Sequence, residues 1–219
     1  MATDFEKRAV RDPSGFVVLA EHVPDIIQEI RYYSSYNFIG ERIDGYEEPI
    51  ALLTAEAARA LKEVSRELFV QGYRLKVFDA YRPAMAVRQF VLWGIEDTDI
   101  RMKPYFYPDL QKQELFVKGY IAKQSSHSRG STVDLTLLDM RTGKEADMGS
   151  PFDFFGEISH PSYTGITPEQ REKRETLRKA MLRHGFLPYD CEWWHFTLEN
   201  EPYPDIYYEF PVSYSALAK

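Results

Sequence analysis

The chain contains 219 residues, of which 44% are hydrophobic, 28% are charged and 15% are aromatic, a composition typical of a globular protein. This length fits one domain with a substantial core, and we expect residues 1–219 to form that single domain. The formal net charge of -7 argues against binding to nucleic acid or to an anionic membrane surface, because both depend on Lys and Arg side chains.

The cysteine content and the apolar runs bear on the compartment. The single cysteine, Cys191, cannot form an intramolecular disulfide, so the fold does not require an oxidising compartment. Residues 1–10 hold no apolar run of signal-peptide length, and nowhere do about 18 apolar residues occur together. We therefore expect a soluble protein without a membrane partner, located in the cytoplasm, or in the periplasm if a leader has been removed.

The predicted elements begin after an irregular N-terminal segment. Residues 31–50 are rich in aromatic side chains but follow neither the helical nor the strand period, so we expect residues 1–50 to be largely irregular and packed on the domain. The first helix is predicted to follow Thr54, a plausible N-cap, and to end at Gly72. Its apolar residues recur at three and four positions, namely Ala57, Leu61, Val64 and Leu68.

Further along, residues 74–80 alternate apolar and charged side chains and are predicted to form a strand. The chain then turns at Pro83 into a short predicted helix over residues 84–93. Residues 98–122 follow neither period and are predicted to be a long loop with some helix. A loop of this length is often a functional lid.

The last third of the chain completes a mixed order of elements. Residues 133–137 are predicted to form a strand, and residues 193–199, rich in aromatic side chains, another. Between them, a capping box over residues 167–170 opens a helix that is predicted to end at Gly185. This mixed order favours the α+β class over a repeating βαβ pattern, with a central, mostly antiparallel sheet and flanking helices.

The first chemical motif is a loop of small residues that runs from Ser125 into the strand at Asp134. His127 and Asp134 are seven positions apart, so a tight loop would bring both side chains onto one metal ion. By itself, such a pair is structural far more often than metal-binding.

The second motif is Glu192-Trp193-Trp194-His195, which in isolation favours a core strand with a hydrogen-bonded imidazole. A catalytic zinc ion takes three ligands from His and from Asp or Glu, and leaves a position for water. His127, Asp134 and His195 together would supply this set. Glu192 would then act as the general base beside the water rather than as a ligand.

The spacing of Glu192 and His195 conflicts with a regular strand, because residues three apart point to opposite faces of a sheet. A shared site therefore requires Glu192 to lie in the turn before the strand, or the strand to contain a bulge.

The third motif, Asp79 to Pro83, places Arg82 at the end of a predicted strand. An isolated arginine is usually one half of a surface ion pair. Hydrolysis of an amide, however, needs a hydrogen-bond donor for the oxygen on which negative charge develops, and a guanidinium group offers planar, forked hydrogen bonds. We expect Arg82 to have this role.

Together the three motifs resemble those of the D-alanyl-D-alanine dipeptidases, the VanX-like branch of the zinc D-Ala-D-Ala peptidases. They are D-x-Y-R-P (residues 79–83), S-x-H-x-x-G-x-x-x-D (residues 125–134) and E-W-W-H (residues 192–195). The resemblance spans most of the chain, from about Tyr32 to its end, and three motifs in the same order make it specific.

This resemblance implies one zinc ion per chain, held in a cleft on the sheet. The implied ligands are His127, Asp134 and His195, with Glu192 as general base and acid and Arg82 as stabiliser of the oxyanion. Residues 148–153 resemble the family segment that binds the free amino group of the substrate, which assigns this part to Asp153, with Ser125 close by.

The function implied by the resemblance is the zinc-dependent hydrolysis of the dipeptide D-alanyl-D-alanine to free D-alanine. One alternative keeps the chemistry but changes the substrate, to a D,D-carboxypeptidase or a murein endopeptidase acting on peptidoglycan stem peptides. A zinc-binding module without catalysis is a further alternative, but it would need neither Glu192 nor Arg82. The sequence does not predict the oligomeric state.

Overall fold

A six-stranded sheet forms the centre of the protein in the computed structural model, which describes residues 10–218. The strands, β1 to β8 in chain order, are Phe16–Val18, Ile27–Gln28, Leu52–Thr54, Tyr73–Asp79, Thr132–Asp139, Lys144–Glu145, Phe186–Tyr189 and Glu192–Leu198. In the main sheet the order is β2-β4-β5-β8-β7, with β6 paired to β5. All of its pairs are antiparallel except β2 with β4, which confirms the predicted sheet type.

Helices flank this sheet, as the α+β prediction requires. The α-helices of the described residues, α1 to α7, are Leu19–His22, Ala55–Val70, Ala84–Ile95, Lys103–Phe106, Lys112–Val117, Pro168–Arg183 and Tyr214–Leu217. Short 3₁₀ helices occupy Arg31–Tyr33, Ser126–Arg129 and Glu157–Ser159. Among residues 10–218, no helix combines the length and the hydrophobicity that crossing a bilayer requires.

The two long helices begin where their capping residues predict. The Thr54 hydroxyl accepts a hydrogen bond from the backbone N–H of Ala57 at the start of α2, whose buried stripe contacts β4. A complete capping box at Thr167 and Gln170 opens α6. Because these caps satisfy backbone donors that the helix itself leaves unpaired, they fix both N-termini.

The N-terminal segment is more ordered than predicted, although residues 1–9 of the predicted segment 1–50 lie outside the described residues. Its strand β1 pairs with β3 in a separate two-stranded sheet. After β2 and the 3₁₀ helix, the chain is irregular to residue 50. Its rings at Tyr32, Phe38 and Tyr46 are nevertheless buried.

Residues 98–122 contain two short helices, α4 and α5, joined by irregular chain, which agrees with a long loop holding some helix. The N-terminus of α5 carries a capping box between Gln111 and Glu114. Residues 119–122, after α5, form part of the wall of a cavity, and the role of this segment as a lid stays a prediction.

Two irregularities in strand pairing align the polar residues of the sheet. Between β4 and β5 the register shifts by one residue, so that Asp79 lies opposite Asp134. Asp134 in turn lies opposite His195 on β8, and these three residues therefore form a row across neighbouring strands. A second shift, between β7 and β8, pairs Tyr189 with Glu192. The pairing near Glu192 is therefore irregular, as the predicted turn or bulge requires.

Gly130 allows the loop that carries His127 to pack against the core. Its φ is +84°, and a Cβ atom there would lie 2.2 Å from Cε1 of the buried Phe16. Gly143 also has positive φ, at +69°, but a Cβ atom would meet nothing within 4 Å. A side chain would strain the backbone at both glycines, but only at Gly130 would it also overlap with a neighbouring residue.

We expect Gly143→Ala to lower the free energy of unfolding by about 1 kcal/mol, the usual strain of a side chain at positive φ. Gly130→Ala adds the overlap with Phe16 and should lower it by roughly 3 kcal/mol or more. Urea unfolding of the two variants and the parent protein measures both values. Equal losses would contradict the packing described for Gly130.

Candidate metal centre

The three predicted metal ligands converge on one point beside the inner strands β5 and β8 of the sheet. Nε2 of His127, in the 3₁₀ helix, lies 3.2 Å from the Asp134 carboxylate and 3.2 Å from Nδ1 of His195. Nδ1 of His195 also lies 3.2 Å from Asp134. In a tetrahedral site with zinc bonds of about 2.0–2.1 Å, ligand atoms lie roughly 3.3 Å apart. The geometry therefore fits one such ion.

The chemistry of this donor set also fits a cation. Asp134 Oδ1 is buried and accepts no hydrogen bond from any residue between 10 and 218. Although burial raises the pKa of Asp134, the neighbouring histidines lower it below its ordinary value. The set consists of two nitrogens and one carboxylate. Each directs a lone pair inward and has little access to water, which suits a zinc ion.

A hydrogen bond on the outer nitrogen of each imidazole orients the inner nitrogen. Nδ1 of His127 donates to the backbone carbonyl of Ala80 at 2.7 Å, which leaves the lone pair on Nε2. Nε2 of His195 lies 3.3 Å from the Ser126 hydroxyl, which leaves Nδ1 free to bind. Such outer partners fix the ring orientation and the tautomer of metal-binding histidines.

Glu192 lies beside the ligands without joining them. Its Oε2 atom is 3.4 Å from Nδ1 of His195, and its side chain lines the same cavity. Burial raises the pKa of Glu192 to about 8, and the carboxylates of Asp134 and Asp153 add to this shift, whereas His195 opposes it. Glu192 is thus a buried carboxyl group with a high affinity for a proton.

Arg82 approaches the cavity from the end of β4. Its Nε and Nη2 atoms are each 2.9 Å from Asp79 Oδ2, and Nη2 is 3.6 Å from the Asp134 carboxylate. The guanidinium carbon lies 4.9 Å from the ring centroid of Tyr32 and 5.2 Å from that of Phe90. These contacts hold a positive charge in a fixed position beside the ligands.

Asp153 lies on another wall of the cavity, in an unusual backbone conformation. Its φ is +61°, the only positive value among the described residues other than glycine. Its carboxylate is buried and accepts hydrogen bonds of 3.0 and 3.2 Å from the Tyr32 hydroxyl. Burial raises the pKa of Asp153 to about 8. A positively charged group beside it would stabilise its ionised form.

A cavity of about 350 Å³ contains every site residue that the sequence predicts. Ser125 lines it as the N-cap of the 3₁₀ helix, where its hydroxyl accepts from the backbone N–H of His127 at 3.3 Å. Sequence reasoning missed the roles of several residues that line the cavity or hold its charged groups. These are Tyr32, Tyr46, Asp79, Tyr120, Ser126 and Tyr189. Asp79 and Ser126 stand within the predicted motifs, whereas the tyrosines carry no local signal.

Comparison with known proteins agrees with this geometry. The model of the D-Ala-D-Ala dipeptidase family matches residues 12–213. The chain belongs to this family. It is 43% identical to the D-alanyl-D-alanine dipeptidase of Enterococcus faecalis over 91% of this chain and 99% of that protein. The corresponding enzyme of Streptomyces coelicolor is 38% identical over 90% of this chain and 98% of that protein.

Similarity of this extent makes the chain a metallopeptidase. The D-alanyl-D-alanine dipeptidase of Enterococcus faecium is 41% identical over 90% of this chain and 98% of that protein. Membership of the family implies a metal ion, and His127, Asp134 and His195 form a cluster in this dipeptidase-family chain that could hold it.

We expect Ser126→Ala to weaken the binding of zinc by about tenfold or more, because the His195 ring loses the partner that orients it. Ser128 is the matched control, since it lies in the same 3₁₀ helix and its buried hydroxyl has no hydrogen-bond partner among residues 10–218. Competition with a chelator measures both affinities. Equal affinities for the Ser126→Ala and Ser128→Ala variants would contradict the orienting role.

Proposed function

We propose that this chain hydrolyses D-alanyl-D-alanine to two molecules of D-alanine, with one zinc ion bound by His127, Asp134 and His195. The observation that carries the proposal is the meeting of this ligand set with Glu192 and Arg82 in one small cavity. The match to the family over nearly the whole chain supports it.

Each residue around the ligand set has its own role in the hydrolysis. A zinc ion bound there would act as a Lewis acid toward the peptide carbonyl and would lower the pKa of a water molecule. Glu192 removes a proton from the attacking water and later delivers one to the nitrogen of the leaving D-alanine. A buried carboxylate with a raised pKa suits both transfers, because it binds and releases a proton near neutral pH.

Arg82 stabilises the negative charge that develops on the carbonyl oxygen. Its guanidinium group lines the cavity and is held by Asp79 and by two aromatic rings. A donor that is already in position needs no rearrangement as the charge develops, and such donors contribute strongly to catalysis.

Asp153 and the size of the cavity would select for a dipeptide with a free amino group. An ammonium group paired with Asp153 satisfies a carboxylate that is otherwise buried with a single tyrosine donor. The cavity of about 350 Å³ lies at the lower end of the range for ligand pockets, roughly 300–1,000 Å³. An acylated amino group, as in peptidoglycan stem peptides, would leave Asp153 unpaired, which disfavours the carboxypeptidase and endopeptidase alternatives.

The direct test is the release of D-alanine from D-alanyl-D-alanine by the purified protein with zinc. We expect turnover of the dipeptide and a kcat/KM at least about 100-fold lower for its N-acetyl derivative, because a buried carboxylate left unpaired is strongly unfavourable. No release from the dipeptide, with cleavage of stem peptides instead, would overturn the proposed substrate.

We expect Glu192→Gln to lower kcat by about 10²-fold to 10⁴-fold, since the amide cannot accept the proton of water. Bound zinc should remain near one per chain, because Glu192 is not one of the proposed ligands. Glu199→Gln, at an exposed position just after the same strand, is the matched control and should keep the parent kcat. Unchanged turnover in Glu192→Gln would remove Glu192 from the mechanism.

We expect Asp153→Asn to lower kcat/KM for the free dipeptide by roughly 10-fold to 100-fold, the usual contribution of a charged hydrogen bond. Asn tolerates positive φ, so the backbone conformation at this position is kept. The same change should alter kcat/KM for the N-acetyl derivative by much less. Equal losses on both substrates would contradict recognition of the amino group by Asp153.

A further inference from the structure

Asp79 contacts both Arg82 and the proposed metal ligand His127. It is the last residue of β4, and its carboxylate is almost fully buried. Oδ1 accepts a hydrogen bond of 2.6 Å from the Tyr46 hydroxyl, and Oδ2 lies 2.9 Å from both Nε and Nη2 of Arg82. Oδ2 also lies 3.5 Å from Nδ1 of His127. One carboxylate therefore contacts both a metal ligand and the donor for the oxyanion.

The backbone around Asp79 already holds His127 without help from this carboxylate. The Ala80 carbonyl accepts from Nδ1 of His127 at 2.7 Å, and the backbone N–H of Arg82 donates to the carbonyl of His127 at 3.3 Å. These two bonds fix the ring and its loop against the end of β4. Removing the charge of Asp79 should therefore leave the ligand set in place.

The position of the Arg82 guanidinium group, in contrast, depends on Asp79. The Asp134 carboxylate is farther from Nη2, at 3.6 Å, and it belongs to the proposed ligand set. The rings of Tyr32 and Phe90 contact the guanidinium group but restrict its rotation less than a hydrogen bond would. Only Asp79 engages two nitrogens of the guanidinium group at short distance among the described residues.

We propose that Asp79 is a positioning residue that holds Arg82 at a fixed distance from the metal ligands, with Tyr46 fixing the other carboxylate oxygen. This role rests on the proposed function, since it deepens the part that Arg82 has in it. The one-residue shift between β4 and β5 is what brings Asp79 level with Asp134. In an unshifted strand the carboxylate would not lie in this row.

The test is a double-mutant cycle between Asp79→Asn and Arg82→Gln on the zinc enzyme. The Asn side chain keeps the size of Asp but cannot bind the guanidinium group as a carboxylate does. We expect Arg82→Gln to lower kcat by about 10²-fold to 10³-fold, and Asp79→Asn by about tenfold or more. In the Arg82→Gln background, Asp79→Asn should lower kcat by less than about threefold, because both changes remove the same interaction.

The affinity for zinc separates positioning from general damage. We expect Asp79→Asn to change this affinity by less than about threefold, since the backbone bonds to His127 remain. The proposal would be overturned if the fold losses of kcat in the two single variants multiplied in full in the double variant. A loss of zinc affinity in parallel with the loss of kcat would also overturn it. Glu209→Gln is the matched control, because Glu209 is also a buried carboxylate paired with an arginine, Arg88, but lies outside the site. Its kcat should stay at the parent value.

A measurement without substrate distinguishes failure of this inference from failure of the proposed function. The Arg82 Nε–H group, identified by the loss of its ¹⁵N resonance in Arg82→Gln, should exchange with solvent at least about tenfold faster in Asp79→Asn. If Asp79→Asn does not fold, Tyr46→Phe, which keeps the ring, should also accelerate the exchange. An unchanged rate would overturn the positioning role, whereas a parent enzyme inactive on the dipeptide overturns only the function.

Discussion

The structure depends on the convergence of two imidazole nitrogens and a carboxylate at separations of 3.2 Å in a buried position. Without a cation, such inward lone pairs repel one another and have little access to water, which makes the arrangement unfavourable. A divalent ion bound there, as proposed, would replace this repulsion with three favourable bonds. On the proposed function, the strand register that aligns Asp134 with His195 and the 3₁₀ helix that carries His127 form the scaffold for this ion.

Around that centre, two of the carboxylates are held by tyrosines from elsewhere in the chain. Tyr32 and Tyr46, from the N-terminal segment, donate to Asp153 and Asp79 respectively. Burial raises the pKa values of Glu192 and Asp153, so these carboxyl groups favour positively charged partners. The proposed substrate, a small zwitterionic peptide, offers one such partner at its amino group, and a charge pair is stronger at a buried carboxylate than in water.

Local signals in the sequence predicted a large part of the fold. Thr54 and the capping box at residue 167 located α2 and α6, and the strand-like segments 74–80, 133–137 and 193–199 located β4, β5 and β8 to within one or two residues. Strands β2 and β6 contain two residues each, too few to show a period. Strand β7 contains Pro188, which argues locally against a strand and is tolerated here because β7 lies at the edge of the sheet.

The sequence indicated the residues of the candidate site but not the hydrogen bonds and strand registers that position them. His127, Asp134, Glu192 and His195 carry recognisable chemistry at recognisable spacing. In contrast, the bonds that support the neighbouring carboxylates join residues distant in the chain, namely Tyr32 with Asp153 and Tyr46 with Asp79. The register shifts that align the row have no signature in one sequence. Anomalous diffraction at the zinc edge tests the central claim most directly. It should show one ion within about 2.0–2.2 Å of His127 Nε2, His195 Nδ1 and an Asp134 oxygen. No ion there, or an ion bound through Glu192 instead, would contradict it.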